Sequence, residues 1–315
     1  MQIFSNNPFT YIYLRDLTTN NITEITQNSS YSFTSTINDS TNRFQLLFSL
    51  LPFKWLGNVS SDWANIANWS NNSLPTISDD VTLNSWTTFQ PHVTNTVANP
   101  AICNNLSINP GASLTIEAGK ALTVNGTLTN NAGNTGLIIK SNVNGTGSIL
   151  HKTTNIAASI ERYITHTNAD EFHMLATPVK TQTISPDFNQ SDGFYLWNEP
   201  TSNWIEYADL TNFTAANGGT NFVPGKAYAI SYPNTVTKSF SGFLNQGNIN
   251  IPLTYTNGIY SGWNFIGNPY PSAINWNASS GWERNILENA SANDKAMWVW
   301  NATNGNYGAD RKSVV

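Results

Sequence analysis

Apolar positions between residues 104 and 130 recur as short, evenly spaced triplets. They are Leu106-Ser107-Ile108, Leu114-Thr115-Ile116 and Leu122-Thr123-Val124, followed by Leu128-Thr129. Their first residues stand 8, 8 and 6 positions apart, and Pro110-Gly111, Ala118-Gly119 and Asn125-Gly126 fall between them. Each triplet is too short for a helix and alternates as a strand with one buried face does. The Gly-containing pairs supply turns. Strands that turn a corner every eight residues suit the stacked coils of a β-solenoid, with Leu and Ile pointing inward; an antiparallel meander gives a similar pattern.

On either side the pattern is that of ordinary strands. Alternation over residues 9–17, then 22–25, 31–36 and 43–48, predicts a small sheet separated by Asn/Ser/Thr turns. Beyond residue 155, strands are predicted over 160–165, 172–175, 193–197, 204–207, 227–232, 238–243, 248–253, 263–266 and 297–300. Asn217-Gly218, Asn257-Gly258 and Asn304-Gly305 mark turns between them, as in a sandwich. A single short helix is predicted, over residues 282–289, where Trp282 and Ile286 share a face.

Composition narrows the class. Charged residues make up only 10% of the 315, against a usual ~25%, while aromatics reach 12%. Asn fills about one position in seven, and Glu, Lys, Arg, Ala and Leu are sparse, so long solvent-facing helices lack their material. An all-helical protein and a coiled coil are excluded, and the aromatic content argues against disorder. The formal charge is −5 with 14 scattered basic residues, so nucleic-acid binding lacks its main electrostatic drive. No apolar run approaches the ~18–20 residues of a membrane span. The lone Cys103 excludes an internal disulfide and reads as a small buried residue.

No catalytic residue is assigned. Asn198-Glu199-Pro200 matches the acid-bearing string of several barrel glycosidases, but no alternating βα pattern builds a barrel, and the string fits a strand entering a turn. His92, His151, His166 and His173 form no zinc-binding spacing. Asp187, Asn189 and Asp192 alternate oxygen ligands in one loop, as calcium requires, and Asp79-Asp80 offers a second carboxylate pair; a hydrated loop is the competing reading for both. No other cofactor is implied. Trp197, Trp204 and Tyr270 are candidates for stacking on sugar rings, and buried sandwich-core aromatics are the alternative.

The motifs taken together resemble a known group. Trp55-x-Gly57, Trp63, Asn68-Trp69, Pro75, Asp79-Asp80-Val81 and Cys103-Asn104-Asn105-Leu106 are similar to a module of large secreted surface proteins of Bacteroidetes. Glu161-Arg162-Tyr163, Phe172-His173, Tyr195-x-Trp197-x-Glu199 and Gly262-Trp263-Asn264-Phe265-Ile266-Gly267-Asn268-Pro269-Tyr270-Pro271-Ser272 resemble the module that follows it. The resemblance implies export by the type IX secretion route and a role in adhesion or beside surface enzymes. In that group the upstream sandwich starts earlier and the downstream pattern continues past the position of Tyr307, so the sequence reads as a segment of a longer protein.

The expected architecture is all-β: a partial β-sandwich, a short β-solenoid-like repeat region, then a β-sandwich or jelly-roll-like domain. Residues 1–52 are expected to be the last strands of a truncated sandwich, 53–155 the repeat module, and 156–315 an aromatic-rich sandwich truncated at its C-terminus. The expected function is a non-catalytic structural or adhesive segment of a secreted or outer cell-surface protein, with glycans or other surface proteins as partners. The alternative is a carbohydrate-binding module accessory to a surface polysaccharide-degrading enzyme.

Overall fold

The structure is a computed structural model that describes residues 11–19, 22–25, 30–36, 39–49, 55–70, 72–96, 99–167, 171–188, 193–260, 262–275, 278, 281, 297–302 and 305–310. It is nearly all β. Two compact units emerge: residues 1–139 with 149–158, and residues 140–148 with 159–315.

The first unit begins with a three-stranded antiparallel sheet. β1 (Tyr11–Asp16) lies between β2 (Ile22–Glu24) and β3 (Phe44–Ser49). The strand expected over 31–36 is absent; the segment runs as coil. Its place is taken by a buried ion pair. Asp16 accepts from Arg43 Nε at 3.0 Å and Nη2 at 2.8 Å, and Tyr31 donates its hydroxyl to the same carboxylate at 2.9 Å. Arg43 Nη1 donates to the Thr34 carbonyl at 2.6 Å, so this backbone is satisfied by a side chain rather than by a ladder.

The repeat region is a solenoid of about three coils. Its strands are β4 (Val81–Leu83), β5 (His92–Val93), β6 (Ala101–Cys103), β7 (Leu106–Ile108), β8 (Leu114–Ile116), β9 (Ala121–Val124), β10 (Leu128–Asn130) and β11 (Leu137–Ile139). They pair in parallel, which decides against the meander. Val81, Leu106 and Leu128 align across β4, β7 and β10. Val93, Ile116 and Ile139 align across β5, β8 and β11, and Cys103 with Val124 across β6 and β9. Leu106, Leu114 and Leu122 therefore lie on three successive faces of one coil, and each stacks on the coil before or after its own.

The two open questions for such a stack are its corners and its first edge. Short polar side chains close the corners. Asp80 Oδ1 accepts from Asn104 Nδ2, Asn105 N and Asn105 Nδ2 at 2.9–3.1 Å, and Asn105 Oδ1 in turn accepts Thr127 N at 2.7 Å. One column of side chains thereby links three consecutive coils. Trp55, Trp63 and Trp69, each at most 1% exposed, cover the edge at β5 with ring centroids 4.7–6.3 Å apart. Trp63 N donates to the His92 carbonyl at 2.9 Å, and His92 N to Ser61 at 2.6 Å. The buried Asn68 pins the cap loop by accepting Val59 N and Ser60 N. Gly57, at φ +59°, leaves no room for a Cβ beside the Phe89 carbonyl.

β12 (Ser141–Asn142) and β13 (Gly145–Thr146) form a hairpin, β14 (Ser148–Leu150) extends the ladder of β6 and β9, and β15 (Ala157–Ile164) follows. In the second unit β16 (His173–Leu175), β17 (Gly193–Asn198), β18 (Asn203–Glu206) and β19 (Tyr228–Ser231) make an antiparallel sheet in the order β16-β19-β17-β18. β20 (Val236–Phe243) pairs with β15. Buried Phe188, Phe194, Phe213, Phe222, Tyr228 and Phe240 join the two layers through ring contacts of 4.7–6.4 Å. β21 (Met297–Asn301), the strand expected over 297–300, pairs with β22 (Asn306–Asp310).

Three further expectations are corrected. Asn217-Gly218 ends a helix, α1 (Leu210–Asn217), rather than a hairpin: Asp209 caps its start by accepting Asn212 N, and Gly218 takes φ +83° at its end. Buried Phe213 anchors it, with Asn217 bonded to Tyr228 Oη at 2.7 Å. Residues 248–253 and 263–266 form no strands. Asn264 instead accepts Thr254 N and donates to the Thr254 and Gly262 carbonyls, a local closure that replaces a ladder. The helix expected over 282–289 lies outside the described residues.

Leu114 is fully buried in β8, between β5 and β11. Leu114→Ala is expected to cost about 2–5 kcal/mol in equilibrium urea denaturation, and Leu114→Asp to abolish the β signal of the first unit in circular dichroism. An unchanged melt for Leu114→Asp would contradict the packing.

Candidate interaction surface

The β17–β18 hairpin sets Trp197 directly opposite Trp204, with ring centroids 5.4 Å apart. Residues 254–260 and 262–265 pack onto this pair. Tyr260 meets Trp197 at 5.9 Å, Phe265 meets Trp204 at 4.8 Å, and Trp197 Nε1 donates to the Trp263 carbonyl at 2.6 Å. Trp204 is 39% exposed, Trp263 43%, Tyr260 52%, Tyr255 76% and Ile259 91%. Not one acidic or basic residue occurs from 254 to 265.

The anchor of this loop is Glu199, only 4% exposed at the hairpin turn. Its Oε1 accepts Thr256 N at 2.6 Å and Gly262 N at 2.9 Å, and its Oε2 accepts the Thr256 hydroxyl at 3.1 Å. Burial pushes the carboxyl upward, but those backbone and hydroxyl donors outweigh it and hold it below the ordinary Glu value. Glu199 therefore acts as an acceptor within the fold, tying two ends of one loop.

The sequence-derived candidates separate in space. Trp197 and Trp204 come together, whereas Tyr270 stands apart, its hydroxyl donating to the Gly247 carbonyl at 2.8 Å. Its backbone N–H is held by Asn268 in an Asx turn at 2.9 Å. Asp187 is exposed, and Asn189 and Asp192 lie outside the described residues. Asp79 accepts Thr76 N and its hydroxyl at 2.8 Å, and Asp80 closes the solenoid corner. Cys103 is fully buried, which, with Asp80 near, pushes its thiol up to about 12. His173 shares Glu171 with Thr165 and Thr167. Burial raises the Glu171 carboxyl, yet the Thr165 and Thr167 donors prevail and set it at about 2. Sequence reasoning passed over Tyr255, Ile259, Tyr260 and Trp263. The signal available was the uncharged stretch around Asn257-Gly258, where large apolar residues sit beside a turn.

These features define a class: an all-β protein with a parallel-coil region in one unit and an exposed aromatic surface in the other. Among the described residues, no helix is long and apolar enough to cross a membrane. The chain belongs to the family described as a domain of unknown function (DUF8693), which matches residues 54–311. It is also similar to the minor fimbrium subunit Mfa5 of Porphyromonas gingivalis, 28% identical over 253 residues, covering 72% of this chain and 20% of that protein. The chain thus spans about a fifth of the length of that curated relative. No solved structure matches.

Glu171 and Glu199 both titrate below the ordinary Glu value of 4.5 in the folded protein. Their stabilisation is therefore full above the unfolded pKa and lost as pH falls through the folded one. Thermal melts are expected to be level from pH 7 to about 5 and to drop between about 4.5 and 2. Glu199→Gln is expected to speed amide exchange at Thr256 and Gly262 and to leave glycoside hydrolysis absent in both proteins. Hydrolysis that vanishes with this one change would make Glu199 an acid catalyst instead.

Proposed function

We propose that this chain is a non-catalytic structural or adhesive segment of a larger bacterial surface protein, working through protein–protein assembly. The observation that carries the reading is its similarity to a fimbrium subunit across most of the family-matched residues. The physical character of the chain agrees with it. Glu199 and Asn264, which hold the loop at the aromatic surface, direct their polar atoms at the fold itself.

In this reading the protein is exported by the type IX route and displayed at the outer surface, as the sequence resemblance implies. The test is a tag on the native protein in its source bacterium, followed by protease treatment of intact cells and by crosslinking. Expected results are loss of the tag without lysis, retention inside cells when the type IX machinery is deleted, and crosslinks to other surface subunits. A tag that stays protected in wild-type cells, or no crosslinked protein partner, would overturn the proposal.

A further inference from the structure

The exposed rings around the β17–β18 hairpin go beyond what assembly alone requires. From their fractional exposures, Trp204, Tyr255, Ile259, Tyr260 and Trp263 together present on the order of 600 Å² of largely apolar surface. That is as large as the largest patch of an ordinary monomer and in the range that marks a binding site. It falls short of the ~800 Å² each partner contributes to a stable protein pair.

Charge narrows the occupant. Residues 254–265 carry no formal charge, the carboxylate of Glu199 is buried and saturated by Thr256 and Gly262, and Glu206 is exposed two residues from Trp204 on the same face of β18. Such a surface offers no counter-charge to an acidic ligand, which would lose its hydration there. It matches a neutral ligand with flat apolar faces and many hydroxyls. The exposed Asn257 beside the rings supplies an amide of both polarities.

Ring geometry narrows it again. Trp204 and Tyr260 meet Trp197 at interplanar angles of 65° and 85°, and Phe265 tilts 60° from Trp204. Rings set at such angles form no flat platform. A crystalline polysaccharide face would need them coplanar, whereas a single soluble chain can turn to meet each in succession. The loop is also set in advance, because Glu199 and Asn264 hold both its ends, so little ordering opposes binding.

From this juxtaposition we infer that the exposed rings of Trp204, Tyr255, Tyr260 and Trp263 bind a soluble, neutral oligosaccharide. The inference stands independently of the assembly reading, because a fimbrium-like segment need not bind sugar and a sugar-binding segment need not polymerise.

The test is calorimetric titration of the full 315-residue chain with neutral gluco-, xylo- and manno-hexasaccharides. Polygalacturonate oligomers, heparin fragments and microcrystalline cellulose serve as charged and crystalline probes. At least one neutral hexasaccharide is expected to bind, and none of the charged or crystalline probes. Trp263→Ala and Tyr260→Ala are expected to weaken that binding at least tenfold while the chain keeps its folded circular-dichroism spectrum; both retain the Trp263 carbonyl that accepts Trp197 Nε1. Phe243→Ala, at an exposed ring elsewhere, should leave binding unchanged. Should both of these variants unfold, Tyr255→Ala replaces them, since that ring is 76% exposed. No binding of any neutral hexasaccharide, or binding indifferent to every one of these ring substitutions, would overturn the inference. So would self-association of the chain that the same substitutions remove, which would make the patch a protein contact.

Discussion

A chain that turns a corner every eight residues must pair its backbone N–H and C=O groups at the corners as well as along its short strands, and the structure depends on how they are satisfied. Part of the answer is backbone: Asn104 N donates to the Asp79 carbonyl, Val81 N to the Asn105 carbonyl and Gly126 N to the Asn104 carbonyl at 2.8–2.9 Å. Buried unpaired backbone costs roughly as much as the strands gain, so the stack needs acceptors and donors at fixed heights along its axis. Side chains supply the remainder: Asp80 accepts Asn105 N, Asn105 accepts Thr127 N and Gln90 accepts Ser113 N. Side-chain bonds then tie coil to coil, Asn104 and Asn105 donating to Asp80 and Asn109 to Asn84. The high Asn content and the low charge are then one fact: a short amide reaches the adjacent coil while placing no like charges above one another.

The same economy of charge shapes the rest of the chain. Where a charge is buried, it is saturated by several donors. Asp16 holds Arg43 through two bonds with Tyr31 and the Thr18 N–H beside them. Glu171 and Glu199 each collect hydroxyl and backbone donors that fix a loop. These carboxylates sit where catalytic groups are sought in other proteins, and each has its acceptor capacity directed at the fold itself. Around the β17–β18 hairpin the exposed rings of Trp204, Tyr255 and Tyr260 stand beside the uncharged stretch 254–265, which is why binding is the activity proposed for this surface.

The sequence revealed most where a period was present. The Leu/Ile triplets give inward positions, corner spacing and strand length, and the choice of parallel stacking over a meander alone needed coordinates. Isolated strands such as β17 and β20 were legible from alternation. Helix α1 was not: Asn217-Gly218 serves equally as a hairpin turn and as a helix C-terminus, and Thr and Asn are poor helix formers. Tertiary anchoring of Phe213 decides the matter. The segment 263–266 reads as a strand because Trp263 and Phe265 alternate, yet Asn264 folds it back on Thr254. For the surface, Trp197 and Trp204 were legible as aromatics two strands share, while Tyr260 and Trp263 reach them only through the loop that Glu199 closes.

The measurement closest to the central claim is the set of side-chain contacts around Leu106 in the intact chain, read by nuclear magnetic resonance of methyl-labelled protein. Parallel coils require Leu106 to contact both Val81 and Leu128, and Leu114 to contact Leu137, with matching slow amide exchange at Asn105 and Thr127. Direct cross-strand contacts pairing Leu106 with Leu114, and fast exchange at those two corners, would contradict the account.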